Sequence, residues 1–222
     1  MKKVNKWRVL SILGTLIGLL VVGLLFIQLN QLTAVSGSSA TSTKQLSIPN
    51  AISTGHDTAK AVKVSGSAKN AKVSYRQTGS SANVATYQVK TANSTQAANA
   101  VLPSQSSEGE PVTLSDGTTA TEQGVMGHIM VTWKQKNWQV TSISDTAQLS
   151  GTTPTANALK SKNQLKQQKI TTQPVSKGSA VIYASGQDAP MNNISWRIKT
   201  KVQSVKAQEA DQTVKIAKEA LG

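Results

Sequence analysis

The sequence predicts an α+β protein: a single N-terminal transmembrane helix, a flexible tether, and then an extracellular antiparallel-sheet domain with two or three packed helices. Three observations lead to this prediction. Residues 9–29 form an apolar run, and short β-rich runs with period-two alternation recur through the rest of the chain. The last residues carry an apolar stripe at helical spacing.

The apolar run 9–29 is long enough to cross a bilayer as one helix. At a rise of about 1.5 Å per residue it spans roughly 30 Å, the thickness of the hydrocarbon core. The flank 1–8 is basic, whereas no charge follows the run until Lys44. This asymmetry predicts a cytoplasmic N-terminus, a single-pass signal-anchor in the cell membrane, and residues 30–222 outside. The cations of the flank are Lys2, Lys3, Lys6 and Arg8.

Two alternatives concern the same segment. A secretory signal cleaved near Ala40 would release the domain, because small residues precede that position, but signal cores run about 7–15 residues and this one is longer. Gly14 and Gly18 have the G-x-x-x-G spacing that lets two helices pack closely. Glycine is common in membrane helices, so this spacing favours helix pairing only weakly.

Residues 30–58 are rich in Ser, Thr, Ala and Gly and predict the tether. Residues 59–150 predict a first α+β part, in which an Ala-rich helix begins at Ser94 and ends before Pro103. The predicted strands of this part cover residues 61–65, 72–77, 84–90 and 112–114, and the predicted helix covers residues 94–102.

The clearest local signal is a β-hairpin between Gly127 and Ile143. Apolar and polar residues alternate on both sides of a short Lys136-Asn137 turn. Trp133 precedes the turn and Trp138 follows it, so each strand brings a large side chain to the core.

Residues 151–222 predict a second α+β part. Thr153-Pro154 is a cap followed by proline at the first helical position, which predicts a helix to about Gln168. The pattern then predicts strands at residues 180–184 and 194–202 and a final helix from about Lys206 to Leu221.

The two parts share a short pattern. Val131-Thr132-Trp133-Lys134 resembles Ile194-Ser195-Trp196-Arg197, each a strand with a Trp followed by a cation. The two halves are either related by duplication or similar by chance, and the sequence leaves both interpretations open.

Charge predicts the partners of the domain. The net charge is +14, and the ten acidic residues all lie beyond the flank, yet the exterior part stays basic. Such a surface attracts anionic cell-wall polymers or the headgroups of the lipid bilayer, whereas the exterior location argues against nucleic acid. The alternative is a solvated surface, with charges that protect a sheet edge. The candidate site residues are Lys162, Lys166 and Lys169 on the predicted helix and Arg197, Lys199 and Lys201 on the predicted strand.

Three stretches resemble a group of known proteins. Gly124-Val125-Met126-Gly127, the run from Val131 to Trp138, and Asn99-Ala100-Val101-Leu102-Pro103 look like the extracellular domains of uncharacterised membrane-anchored or lipoprotein-type proteins of lactobacilli and their relatives. The ending from Ala210 to Leu221 is similar to the terminal helix of small α+β domains in that group. The resemblance implies a Gram-positive cell-envelope location and carries no activity. This chain departs from the lipoprotein members because it has no cysteine.

Motifs for catalysis and metal binding are not found in the sequence. There is no Cys and no G-x-S-x-G elbow, and the two histidines, His56 and His128, stand apart from any nucleophile. We therefore expect no enzyme activity, no cofactor and no metal, and an envelope-facing binding module. The alternatives are a wall-acting enzyme or its accessory subunit, which a carboxylate pair with one buried acid would support, and a structural subunit of a membrane complex. The close acidic pairs are Glu108 with Glu110 and Glu209 with Asp211.

Overall fold

A computed structural model of the chain describes residues 41–54, 57–103, 108–149, 151–184 and 191–222. The basic flank, the predicted membrane segment with Gly14 and Gly18, and His56 lie outside these residues. In the part that is described, none of the helices combines the length and the apolar character needed to cross a bilayer.

The described residues form a mixed α+β fold around one large sheet. Its eleven strands lie in the order β1-β2-β3-β4-β11-β10-β9-β8-β7-β6-β5, and every neighbouring pair is antiparallel except β8 and β9. The strands are β1 Ala51–Thr54, β2 Asp57–Ser67, β3 Asn70–Gln77, β4 Asn83–Thr91, β5 Glu110–Thr113, β6 Thr119–Val125, β7 His128–Gln135, β8 Trp138–Asp145, β9 Lys177–Tyr183, β10 Asn192–Ile198 and β11 Lys201–Ala207. The helices are α1 Thr95–Val101, α2 Pro154–Gln167 and α3 Ala210–Leu221.

Strand alternation gives this sheet two unlike faces. The core face carries the large buried side chains, among them Tyr87, Trp133 and Trp196, and it is covered by α2 and α3. The open face carries mostly Ser, Thr, Gln and Lys. Among the described helices, only the short α1 packs on it, where Ala98 and Leu102 contact Val202. The apolar core therefore lies on one side of the sheet.

The two predicted parts share this sheet. Strands β9 to β11, which belong to residues 151–222, lie between β4 and β8, which belong to residues 59–150. The register of β11 runs along the whole of β4, from Lys201 opposite Thr91 to Ala207 opposite Ala85. Neither part therefore has a sheet of its own.

The predicted tether 30–58 is wrong from residue 41 onward. Residues 51–54 form the edge strand β1, and Leu46, Ile48 and Ile52 are buried in the main core. The hydroxyl of Tyr75 donates a hydrogen bond to the carbonyl of Pro49 at 2.7 Å. Ser and Thr dominate this stretch, but three well-spaced Ile and Leu side chains are enough to hold it on the core.

The hairpin and the helix α2 confirm the local signals. The hairpin turns at Lys136-Asn137, and Thr153 Oγ1 caps α2 by accepting from the backbone N–H of Ala156 at 3.1 Å.

Two other predictions are wrong. The predicted strand 194–202 is two strands joined by a turn at Lys199-Thr200, and its Ile198 is 41% exposed. The final helix begins at Ala210, because the residues up to Ala207 still pair with β4 and β10. The sequence analysis also missed β6.

The parallel pair β8–β9 depends on one close contact. Gly178 lies opposite Trp138 in the register, and the indole ring lies over the glycine. A Cβ built on Gly178 would stand 2.3 Å from Cδ2 of Trp138, and Trp138 is 1% exposed, so the ring has no room to move aside. Glycine here lets the two strands approach with the tryptophan buried between them.

We predict that Gly178→Ala lowers the free energy of unfolding by about 3 kcal/mol, because the added methyl group overpacks the core against the Trp138 ring. Gly124→Ala is the matched control. Gly124 is also in a strand, but nothing lies within 4 Å of the position of its Cβ, so its change should stay within about 0.5 kcal/mol. Urea denaturation measures both, and equal effects of the two substitutions would contradict the contact.

Candidate anion-binding site

One end of the sheet carries a row of lysines, which we call the lysine edge. It is the end where β2 meets β3, β7 meets β8 and β10 meets β11. The lysines lie in the first or last residues of the strands, in the turns that join them, or at the C-terminal end of α2. They are Lys69, Lys90, Lys134, Lys136, Lys166, Lys169, Lys177, Lys199 and Lys201.

The register shows that these residues share one end. Lys201 lies opposite Thr91, and Lys177 lies opposite Arg197. The backbone N–H of Ala92 donates to the carbonyl of Thr200 at 3.0 Å, which joins the end of β4 to the β10–β11 turn. With strands about 4.8 Å apart, the row from β2 to β7 extends over roughly 34 Å.

Acidic residues are scarce at this end. Among the described residues there, Asp116 lies in the β5–β6 turn, and Glu219 lies in the last turn of α3, which contacts Gln168 at the end of α2. Asp116 forms an ion pair with Lys162 at 2.5 Å. Hydrogen bonds from Lys162 and then from Thr118 lower the pKa of Asp116 to about 2. Lys162, a predicted site residue, is therefore already matched with a carboxylate, whereas the nine lysines of the edge outnumber the acids beside them.

The predicted site residue Arg197 has a structural role. It is 8% exposed; its Nε donates to Asn99 Oδ1 at 2.9 Å, and its Nη1 donates to the carbonyl of Lys199. These bonds hold α1 on the open face and close the β10–β11 turn. The interpretation of Arg197, Lys199 and Lys201 as protection of a sheet edge is wrong, because β10 and β11 are interior strands.

The other four predicted residues, Lys166, Lys169, Lys199 and Lys201, lie together at the lysine edge. The sequence analysis grouped them by periodicity along one helix and one strand. The fold groups them instead because the C-terminal end of α2 and the β10–β11 turn lie at the same end of the sheet: Ser176, in the connection after α2, donates its N–H to the carbonyl of Arg197 at 2.8 Å.

Three lysines of the edge stand where glycine is usual. Lys136, Lys169 and Lys199 have φ angles of 54°, 60° and 55°. Lys169 follows the last turn of α2 in a Schellman motif, in which its N–H bonds to Lys166 and the N–H of Ile170 bonds to Leu165. A left-handed conformation costs a side-chain-bearing residue roughly 1–2 kcal/mol. The chain thus places lysine at three turns of one end despite this cost.

The sequence held a signal for two of these turns. The spacing from Trp133 to Lys136 equals the spacing from Trp196 to Lys199, and each Trp is buried on the core face while each Lys is exposed in the turn. The repeated Trp-cation-x-Lys pattern could have identified Lys136. Lys69, Lys90 and Lys177 have no such signal, because their grouping depends on strand order.

A pocket lies between α2, β9 and the start of α3. It encloses about 250 Å³ and is lined by Tyr183, Asn192, Gln164, Glu209 and Asp211 among others. Both carboxylates are exposed, and Asp211 accepts a hydrogen bond from Gln164 Nε2 at 2.5 Å. A buried acid, the sign that would support a wall-acting hydrolase, is not present in this pair.

The structure also gives the positions of other polar residues that were singled out in the sequence. His128 is half-buried in the first position of β7, opposite Asp145, and Glu110 lies opposite Glu122. In the described ranges, no group of three or more His, Asp or Glu side chains is arranged to hold a metal ion.

Comparison with protein-family models, with curated proteins and with solved structures finds no match to this chain.

We predict that replacing Lys136, Lys169 and Lys199 with glycine raises the free energy of unfolding by about 0.5–1 kcal/mol for each residue, because glycine adopts positive φ without strain. Lys134→Gly is the control. Lys134 lies inside β7 and does not have a positive φ, so glycine there should lower the free energy of unfolding by about 0.5–1 kcal/mol. Urea denaturation compares the variants, and a loss of stability at the three turns would contradict the strained conformation.

Proposed function

We propose that the chain is a membrane-anchored module of the cell envelope whose lysine edge binds the anionic headgroups of the membrane that holds its N-terminus. The observation that carries this proposal is the position of Thr41, the first described residue. Its N–H bonds to the carbonyl of Gly66 at 3.4 Å, beside the β2–β3 turn. The chain therefore enters the domain at the lysine edge.

Chain length then limits how far this edge stands from lipid. If residues 9–29 span the bilayer, only residues 30–40 separate the membrane from Thr41. Fully extended, that stretch reaches at most about 40 Å. Because the lysine edge is where the chain enters, this limit keeps that edge within about 40 Å of the headgroups.

Electrostatics favours a closer approach. Each lysine near an anionic membrane surface contributes about 1 kcal/mol, and the attraction acts within a Debye length of roughly 8–10 Å at physiological salt. Seven lysines of the edge are exposed, and Lys90 and Lys201 are half-buried. Their attraction offsets the loss of freedom of a domain that is already tethered, so docking needs no high intrinsic affinity.

We predict that the full chain, reconstituted in vesicles, has its edge lysines shielded by anionic lipid. A water-soluble amine-acylating reagent should modify Lys136, Lys177 and Lys199 several-fold more slowly in phosphatidylglycerol vesicles than in phosphatidylcholine vesicles, as read by mass spectrometry. High salt should remove the difference, because screening weakens the attraction. Lys160, exposed on α2 and outside the lysine edge, is the internal control and should react equally in both vesicles.

A matched pair of variants sharpens this experiment. Replacing Lys136 and Lys199 with Gln should abolish the shielding of Lys177, whereas replacing Lys160 and Lys215, two exposed lysines outside the lysine edge, with Gln should leave it unchanged. Equal acylation of the edge lysines in both kinds of vesicle, or equal effects of the two variants, would contradict the proposal.

A further inference from the structure

A second cationic group lies on the open face and adjoins the lysine edge at Lys90, which pairs with Asn70 beside Lys72. Its members are Lys60 and Lys63 on β2, Lys72 and Arg76 on β3, and Lys206 on β11, and we call it the cationic face. The register puts them on one side of the sheet: Lys63 lies opposite Ser74 and Lys72 opposite Ser65, whereas Val73 and Tyr75 of β3 point into the core.

Like charges stand close together in this group. Lys60 lies directly opposite Arg76 on the neighbouring strand, an arrangement that destabilises a sheet. The pKa of Lys206 is lowered, first by burial and second by the charge of Lys72. These cations therefore repel one another in the folded domain.

The strands that carry the group contain no carboxylate beside it. Residues 58–77, 83–91 and 192–207 include no Asp or Glu. The Nε of Arg76 is buried and has no hydrogen-bond partner within the described part of the chain. By contrast Arg197, the other arginine of this face, makes two hydrogen bonds. Arg76 as a whole is half-buried, so its side chain remains partly open to an anion from outside.

The surroundings favour phosphate groups on a chain. Hydroxyl and amide side chains, Ser74, Thr86 and Gln88, lie in the register between the cations and can donate to phosphate oxygens. The guanidinium fork matches two oxygens of one phosphate. Three strand spacings separate β2 from β11, roughly 14 Å, which exceeds the size of one phosphate.

Aromatic side chains are not part of this surface. Tyr75 and Tyr87, the tyrosines of β3 and β4, are buried on the core face. Single-stranded nucleic acids bind through stacking of bases on exposed aromatic rings, so this surface is built for a polymer without bases.

We propose that the cationic face is a binding site for the phosphates of a linear phosphodiester polymer, such as a poly(alditol phosphate). This site shares no residue with the lysine edge and does not depend on the membrane-docking proposal.

The test uses the full chain in phosphatidylcholine nanodiscs and a synthetic poly(glycerol phosphate) oligomer as the probe. Calorimetry should show binding that weakens about tenfold or more when Lys63, Lys72 and Arg76 are replaced with Gln. The variant with Lys136, Lys169 and Lys199 replaced by Gln should bind within about twofold of the unaltered chain. Equal loss in both variants, or no loss in the first, would overturn the site.

Two further probes test the chemistry. A polyglutamate of the same length should bind more weakly than the phosphodiester, and Arg76→Lys should lose several-fold in affinity, because an ammonium lacks the fork. Polyglutamate binding as tight as the phosphodiester would overturn the assignment to phosphate. So would tighter binding of a single-stranded oligonucleotide.

A measurement on the unaltered chain does not depend on the folding of any variant. The nitrogen NMR resonance of Arg76 Nε–H should shift on addition of the oligomer, because a phosphate bound at the guanidinium group changes the electronic environment of this nitrogen. A resonance that stays in place at saturating oligomer would overturn the proposal.

Discussion

The constraint on which the rest of the structure depends is the register of the eleven-stranded sheet. Trp133, Trp138 and Trp196 are almost completely buried on the core face, and a slip of one residue in any of their strands would turn a tryptophan to the open face. The same register decides which residues share an end. Because neighbouring strands are antiparallel except for the parallel pair β8–β9, the turns after β2, β7 and β10 all lie at one end, and lysines occupy them.

Local signals in the sequence predicted the elements that local chemistry defines. The Thr153-Pro154 pair identified the start of α2, and the alternation around Lys136-Asn137 identified the hairpin. The β10–β11 turn escaped prediction because Lys199-Thr200 contains no Gly, Asn or Pro, and the strand pattern continues through it. Strand order also could not be predicted, since β4 pairs with β11 across more than a hundred residues and no local pattern records that pairing.

The candidate site likewise combines residues that local patterns predicted with residues that only the fold brings together. Periodicity identified Lys166, Lys169, Lys199 and Lys201 as cationic and exposed or partly exposed, but it also included Arg197, whose hydrogen bonds hold α1. The residues of the lysine edge come together only in the folded sheet, because they lie at one end of it and not on one face of a single helix or strand. Lysine at three positive-φ positions further distinguishes this end, because a chain selected for stability alone would place glycine there. The cationic face differs in kind, since its charges repel one another across adjacent strands.

Orientation at the membrane is the most direct test of the central claim. The chain has no cysteine, so a single fluorophore can be placed at Ala68, exposed in the β2–β3 turn of the lysine edge, or at Ala82, exposed in the turn before β4 at the opposite end. In the full chain reconstituted in phosphatidylglycerol vesicles, a quencher carried on the lipid headgroups should quench the dye at Ala68 and leave the dye at Ala82 bright. Equal quenching at both positions, or stronger quenching at Ala82, would contradict a lysine edge that faces the lipid.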